Sequence, residues 1–379
     1  MSTIPNPMRD QILATPGALK SSFAEMELAA RLVLATPEIY RTRRIILIGS
    51  GDSYFAAKAA ELAVMAHTGL PVEVRTPLEA GRYHAMLSAR RDLENTLVVA
   101  LSNSGGAARV VEATGLYRDH GALTLAITRN AAGRLADIAA KKLVLPNPAL
   151  PSAPGFGPFL FAFVALVLVG IRIGEVRMQM TMDEAQALRH HLLQSFDTIA
   201  EAITKTDAPA LAIAHQLEAT ALVEYVGGGP GFAVSAYGAA KLLEATGRHA
   251  YAQDLEEWTH LNYFDARPQE IATIIALPPE SRSTSRAAEL LAYMRKLGRQ
   301  IIIVGSADLA SGSSELTMPV ASTVPEIWSP LLLSPPHALL AAHLAALTGA
   351  EYGRGSRGKW DDSADASTVQ KSALWEAGK

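Results

Sequence analysis

The sequence predicts an α/β protein built as two tandem domains of one fold. Three observations carry this: short, wholly apolar runs of strand length, Ala-rich stretches of helix length between them, and a restart of the same order about 180 residues further on. Residues 44–53 (RIILIGSGDS) read as a buried strand entering a glycine turn, and 54–65 (YFAAKAAELAVM) as the helix that follows. Residues 72–75 and 96–101 (TLVVAL) read as strands, 107–119 as a helix and 123–128 as another strand. Strands separated by helices imply a parallel sheet covered on both faces. The second round gives 223–229 (VEYVGGG) as strand and turn, 235–245 (SAYGAAKLLEA) as helix, 271–277 (IATIIAL) as strand, 285–296 as helix and 300–305 (QIIIVG) as strand. Helices over 181–203 and 207–219 join the two rounds, and 335–347 (PPHALLAAHLAAL) closes the second. The resulting division is an N-terminal segment 1–24, a first domain 25–180, a second domain 181–348 and a tail 349–379.

Composition narrows the function. The chain has 379 residues, 34 Lys and Arg against 37 Asp and Glu, and 49% apolar residues, which suits a globular protein with room for two cores. A formal charge of −3 offers no broad attraction to nucleic acid or an anionic membrane, and no basic patch stands out. The absence of cysteine excludes disulfides, thiolate nucleophiles and zinc-cysteine or iron-sulfur sites within these residues. His190 and His191 are adjacent, so they point to different sides of a helix, and no third ligand stands at a useful spacing; no metal and no cofactor is expected. The polar N-terminus has no secretory pattern, so a cytoplasmic setting is expected. The uncharged stretch 158–171 is shorter than the roughly 20 residues that span a bilayer. Preceded by Pro146, Pro148, Pro151 and Pro154, it reads as a loop leading into a buried helix.

Parallel α/β sheets bind ligands beyond the carboxyl ends of their strands, where helix N-termini present free backbone N–H groups. Two loops of the first domain suit an anion there. One is Gly49-Ser50-Gly51-Asp52-Ser53; the other is Ser102-Asn103-Ser104-Gly105-Gly106, which follows strand TLVVAL. The alternative for Ser102, Asn103 and Ser104 is ordinary helix capping. The matching loop of the second domain, Pro278-Pro279-Glu280-Ser281-Arg282-Ser283, carries an acid and is not expected to hold a phosphate. Neither glycine turn completes a dinucleotide fingerprint, because Tyr54 and Phe232 occupy the third small position, and there is no P-loop.

Read together, these motifs resemble the double sugar isomerase (SIS) domain proteins, in particular the isomerase half of glucosamine-6-phosphate synthase and its deaminase and deglycase relatives. IGSGDSY is similar to the family's C/G-G-T-S-Y turn, LSNSGG to L-S-Q-S-G-E, YGAAKLLEA to E-G-A-L-K-L-K-E and the terminal QKSALWE to A-K-S-V-T-V-E. The similarity covers roughly residues 25 to 375. Ala107 and Asp52 stand where the family has Thr, and PSAPGFGPF replaces a segment rich in Ser, Thr and Lys.

The resemblance implies two flavodoxin-like three-layer sandwiches and a phosphosugar aldose-ketose isomerase that does not use glutamine, with deaminase or deglycase activity an open variant. It implies that Gly51, Asp52, Ser53, Ser102, Asn103 and Ser104 bind substrate. Glu244 is then the isomerisation base with Lys241 beside it, His260 the ring-opening histidine, Lys371 the amine that forms a Schiff base, and Glu257 a further substrate contact. It also implies a homodimer whose site is shared between subunits, and a tail ordered over that site. Read without the resemblance, Lys241 and Glu244 are an i,i+3 pair on one helix face and Lys371 a solvated terminal lysine. Two alternatives remain: a non-catalytic sugar-phosphate-binding regulator, and an isomerase of a sugar bearing another anion such as a sulfonate.

Overall fold

The computed structural model describes residues 5–310, 315–321, 323–352 and 367–375. Within them the first half runs α1 (Pro7–Leu32), α2 (Thr36–Arg41), β1 (Arg44–Gly49), α3 (Asp52–Thr68), β2 (Val72–Arg75), α4 (Arg90–Leu93), β3 (Thr96–Leu101), α5 (Ala108–Asp119), β4 (Leu123–Thr128), α6 (Arg134–Ile138), β5 (Lys141–Val144) and α7 (Gly157–Val176). The second half runs α8 (Met182–Leu217), β6 (Leu222–Gly227), α9 (Pro230–Thr246), β7 (His249–Asp254), α10 (Leu255–Leu261), β8 (Ile271–Leu277), α11 (Thr284–Leu297), β9 (Gln300–Gly305), β10 (Leu316–Pro319) and α12 (Pro330–Leu347).

Both sheets are entirely parallel. The first has the order β2-β1-β3-β4-β5 and the second β10-β9-β8-β6-β7. Read in the opposite direction and counted from its own first strand, the second order is the same as the first, the 2-1-3-4-5 arrangement of flavodoxin-like folds. Alternate strand residues explain why both faces must be covered. On the first sheet Ile46, Ile48, Val98, Ala100 and Ala126 pack with Val110, Val111 and Ala113 of α5, while Ile45, Leu47, Leu97, Val99 and Leu125 on the opposite face are equally buried. On the second, Val226, Ile275 and Ile303 pack with Leu290, Leu291 and Met294 of α11.

The repetition extends to backbone angles. The turn before α3 is made at Gly51 (φ 55°, ψ −130°) and the turn before α9 at Gly229 (φ 54°, ψ −126°), a conformation open to glycine alone. A Cβ at Gly49 would sit 2.8 Å from the Ser53 backbone, and one at Gly227 2.5 Å from that of Gly231, so each strand end needs a second glycine.

By contacts the chain forms two discontinuous units. One comprises Met1–Ala18, Leu150–Gly157 and Gln194–Tyr352; the other Leu19–Ala149, Pro158–Leu193 and Gly353–Lys379. The linear segmentation 1–24, 25–180, 181–348 and 349–379 does not follow these units, because α1 and α8 each contribute to both and the C-terminal residues group with the first sheet. Of the expected tail, 353–366 and 376–379 lie outside the described residues.

Other differences have local causes. The sequence assigns no element to the N-terminal segment 1–24; Pro7–Leu32 is one helix, with Met8, Ile12, Leu19, Phe23 and Met26 buried. The joining helices are one, α8, with Pro209 inside it. Strands β5, β7 and β10 lie at sheet edges, are partly exposed and lack the long apolar run that marks the central strands in the sequence. The expected core helix over 158–171 is longer, Gly157–Val176, and this stretch and Glu326–Leu347 are both apolar and long enough to cross a membrane. Most of each is buried, and Phe159, Phe161 and Phe163 expose nothing, as a core helix requires. A Cβ at Gly174 would run into the His67 carbonyl, so glycine is what lets α7 lie directly on α3.

Candidate functional site

In the unit that holds the first sheet, β1 and β3 are paired neighbours with Gly49 opposite Leu101, so both glycine-serine loops leave the same edge side by side. The alternative of helix capping is not what Ser102, Asn103 and Ser104 do: α5 is capped by Ala107, with no side-chain bond to its N-terminus. The loop is instead fixed through its backbone. Gly105 N donates to Ser102 O at 3.0 Å, Asn130 Nδ2 to Ser104 O at 3.1 Å, Arg129 N to Asn103 O at 3.3 Å and Leu135 N to Gly105 O at 3.0 Å. Gly105 takes a positive φ of 67° against Thr128 and Gly133. The backbone is thereby held, while the Asn103 and Ser104 side chains stay exposed.

Two cations that the sequence reading did not single out stand at this loop. Arg129 lies with its guanidinium carbon 5.0 Å from the centre of the Phe161 ring, and its Nε and Nη2 are buried with no hydrogen-bond partner; burial lowers its pKa. Arg134, the first residue of α6, donates to the Gly106 carbonyl at 2.6 Å.

The described C-terminal residues, 367–375, pack on the same loop. They begin with one π-helical turn, Ser367–Lys371, and a Cβ at Gly106 would lie 3.5 Å from Gln370 Oε1. Lys371 itself is exposed. Trp375 anchors the segment: its N–H donates to Glu112, and the Arg82 guanidinium lies 5.7 Å above its ring. Burial alone would raise the Glu112 carboxyl, but Arg82, the Trp375 amide and Arg109 outweigh it and hold the group below the usual carboxylate range. A tryptophan four residues after the lysine, in an otherwise polar tail, was the available signal for this anchor.

The other unit carries the remaining candidates. On α9, Lys241 is wholly buried, forms an ion pair with the half-exposed Glu244 and lies 5.6 Å from the centre of the Tyr237 ring. The pair therefore joins a buried cation to a carboxylate that reaches solvent. On α10, Asp254 caps the helix by accepting from Glu256 N at 2.8 Å and Glu257 N at 3.4 Å. His260 and Glu257 are exposed; His260 Nε2 lies 3.2 Å from Glu256 Oε1, and Glu256 is bound in turn by Arg286 at 2.6 Å. The Arg286 and His260 bonds hold the Glu256 carboxyl below its usual range.

The loop of this unit that matches the anion loop is filled by the protein's own carboxylate. Glu326 Oε1 accepts from Ser281 Oγ at 2.7 Å and from Arg282 N at 3.1 Å, and Glu326 Oε2 from Arg282 Nη1 at 3.1 Å. Glu280, the acid noted in the sequence, instead takes a positive φ of 58° in the turn. Among the described residues no group of three or more His, Asp and Glu side chains is arranged to hold a metal.

Two parallel α/β units with this turn at the strand ends, one of them presenting an open serine loop, define a class of protein. The SIS domain family matches residues 38–169, the region of the first sheet. Glutamine–fructose-6-phosphate aminotransferase [isomerizing] of Mycobacterium tuberculosis is 26% identical over 359 residues, covering 90% of this chain and 55% of that protein. The chain thus spans about half the length of the curated relatives it matches. Among solved structures, the C-terminal domain of glucosamine-fructose-6-phosphate aminotransferase from Francisella tularensis superposes with a TM-score of 0.78 at 17% identity, covering 91% of this chain and 97% of that one. Tagatose-6-phosphate ketose/aldose isomerase from Escherichia coli gives 0.64 at 17% identity, covering 89% and 92%. These likenesses establish the fold.

Proposed function

We propose that the protein is a phosphosugar aldose-ketose isomerase whose substrate anion sits on the loop Ser102–Gly106 beside Gly51, Asp52 and Ser53. The observation that supports this reading is the packing of the turn that ends in Lys371 against the loop, with Gln370 Oε1 3.5 Å from the position of a Cβ at Gly106. The names of the relatives, which include an isomerizing aminotransferase and a ketose/aldose isomerase, support the same reaction class.

In this reading the exposed His260 assists opening of the sugar ring by passing a proton between the ring oxygen and the anomeric hydroxyl. The Lys371 amine then adds to the open-chain carbonyl and water leaves, giving an iminium that withdraws electrons from the adjacent carbon. Water returns that iminium to the free carbonyl and the lysine amine. Glu244 then removes the proton from the carbon beside the carbonyl to give an enediol and returns it to the former carbonyl carbon, while the neighbouring hydroxyl proton passes to the oxygen of the old carbonyl, which leaves the isomer. Lys241 pairs with Glu244 and directs its carboxylate, and Glu257 contacts a sugar hydroxyl. With an amino sugar the same proton transfer leaves an imine at the amine-bearing carbon, and its hydrolysis releases ammonia. The reading extends to a second SIS-type unit in residues 181–348, a homodimer with a shared site, a cytoplasmic setting and no use of glutamine.

The test is a panel of hexose 6-phosphates, amino-sugar phosphates and fructosamine phosphates in deuterated water. Deuterium at C1 or C2 that disappears in Glu244→Gln and Lys371→Ala supports the reading, and released ammonia marks the deaminase variant. Binding without exchange for every member of the panel would replace it with a sensor.

A further inference from the structure

Lys371 lies in a run of backbone that is held on both sides by arginines. Before it, the Gln370 carbonyl accepts from Arg134 Nη2, and the same nitrogen donates to the Gly106 carbonyl. After it, Arg109 Nη2 donates to Ser372 Oγ at 3.3 Å and to the Ala373 carbonyl. Arg109 is itself fixed by an ion pair with Glu112, whose side chain is 2% exposed and which also receives the Trp375 amide. Guanidinium groups suit this task because one nitrogen carries two hydrogens and can bridge two carbonyl oxygens. Arg134 is therefore a direct link between the loop proposed to hold the anion and the residue preceding the amine.

We propose that Arg134 and Arg109 are positioning residues that fix Lys371 beside the loop Ser102–Gly106, and that Arg134 couples an anion on that loop to the placement of the amine. This rests on the reading of Lys371 as the imine-forming residue. An anion accepted by the loop restrains Gly106, and through Arg134 the Gln370 carbonyl and the π-helical turn that ends in Lys371. A carbonyl compound without the anion would meet an amine that is less well placed, so the link discriminates among substrates as well as orienting them.

The full chain is compared with Arg134→Ala, Arg109→Ala and, as a control, Arg118→Ala, which alters a neighbouring exposed arginine on α5 that is bonded to Asp119 and Ile138 O. Three quantities are read: borohydride trapping of fructose 6-phosphate on Lys371, kcat and KM, and hydrogen exchange of residues 369–375 with and without inorganic phosphate. The two clamp variants are expected to lose on the order of tenfold in kcat and trapping rate, because misplacement of a reacting group costs rate rather than binding. Phosphate is expected to slow exchange at 369–375 in the parent and in Arg118→Ala but not in Arg134→Ala. Unchanged kcat and trapping in both clamp variants would overturn the positioning role. If the parent itself traps no adduct, the imine reading fails. The link is then judged by exchange alone: loss of phosphate protection in Arg134→Ala supports it, and absence of any phosphate effect in the parent overturns it.

Discussion

The Glu224 carboxylate and the Arg299 guanidinium face each other at 3.5 Å, and neither side chain exposes any surface. A charge pair so placed persists only when its remaining bonding capacity is filled. Around Glu224 it is: Tyr251 Oη donates at 2.7 Å, Trp258 Nε1 at 2.8 Å, Thr273 Oγ1 at 2.8 Å and Asn262 Nδ2 also donates. These donors come from β7, α10, β8 and the turn after α10, so one carboxylate ties the helix bearing Glu257 and His260 to the sheet. Replacing Glu224 with alanine leaves those four donors without their acceptor and the buried Arg299 with Asp265 as its remaining carboxylate, and should cost about 3–5 kcal/mol. Urea unfolding measures this, and Trp258 emission reports the local loss; a change below about 1 kcal/mol would contradict the account.

Gly105 is the residue on which the anion loop turns, with φ at 67° and a Cβ position 3.1 Å from Thr128 Oγ1 and 3.3 Å from Gly133 Cα. Alanine there faces both a disfavoured backbone angle and crowding. Gly105→Ala should lower stability by about 1–3 kcal/mol and weaken phosphate binding. Gly51→Ala provides the contrast, since its Cβ would meet nothing within 4 Å and strain comes from φ alone. Calorimetry and phosphate titration of both variants separate crowding from backbone angle.

The sheets and their turns were legible in the sequence because residues such as Ile45–Ile48 and Ile301–Val304 are apolar on both faces, which only a covered parallel strand requires. The loop Ser102–Gly106 was legible as a loop because three short polar side chains directly follow such a run. What stayed hidden depends on distance along the chain. Glu112 and Trp375 are 263 residues apart, and Ser281 and Glu326 are 45 apart. Arg129 belongs to none of the motifs, yet two of its nitrogens are buried. Glu224 interrupts an apolar strand, which is the trace that its buried network leaves in the sequence.

Two buried histidines set the acid limit. Burial holds His67 in one unit and His337 in the other neutral, each lowered to about 4, even though the Leu333 carbonyl 2.6 Å from His337 Nδ1 acts in the opposite sense. An unfolded histidine takes up its proton near pH 6.5, so the unfolded chain binds more protons as the pH falls. The stabilisation is therefore complete above about pH 6.5 and is lost progressively down to about pH 4, on the order of 2 kcal/mol for each residue at pH 5. Urea midpoints measured from pH 7.5 to 4.5 should fall along this course, and His67→Gln and His337→Gln should each flatten it. A midpoint independent of pH over that range would contradict the burial argument.

Glu326 supplies the second unit with an internal anion. Its carboxylate occupies the donors of Ser281 and Arg282 at the end of β8, in the loop that corresponds to Ser102–Gly106 at the end of β3. The loop at the end of β8 thus has negative charge supplied from within, where the loop at the end of β3 is proposed to take it from the substrate. Glu326→Ala removes that charge and leaves the 281–282 donors without their acceptor, which should cost about 1–3 kcal/mol. Because the vacated loop still presents a hydroxyl, an amide N–H and the Arg282 guanidinium, millimolar phosphate should recover part of the loss in the variant. Any phosphate stabilisation acting at Ser102–Gly106 would appear in both proteins, so the informative quantity is the additional rise in Tm shown by Glu326→Ala. An equal rise in both would mean that the second loop has no affinity for anions of its own.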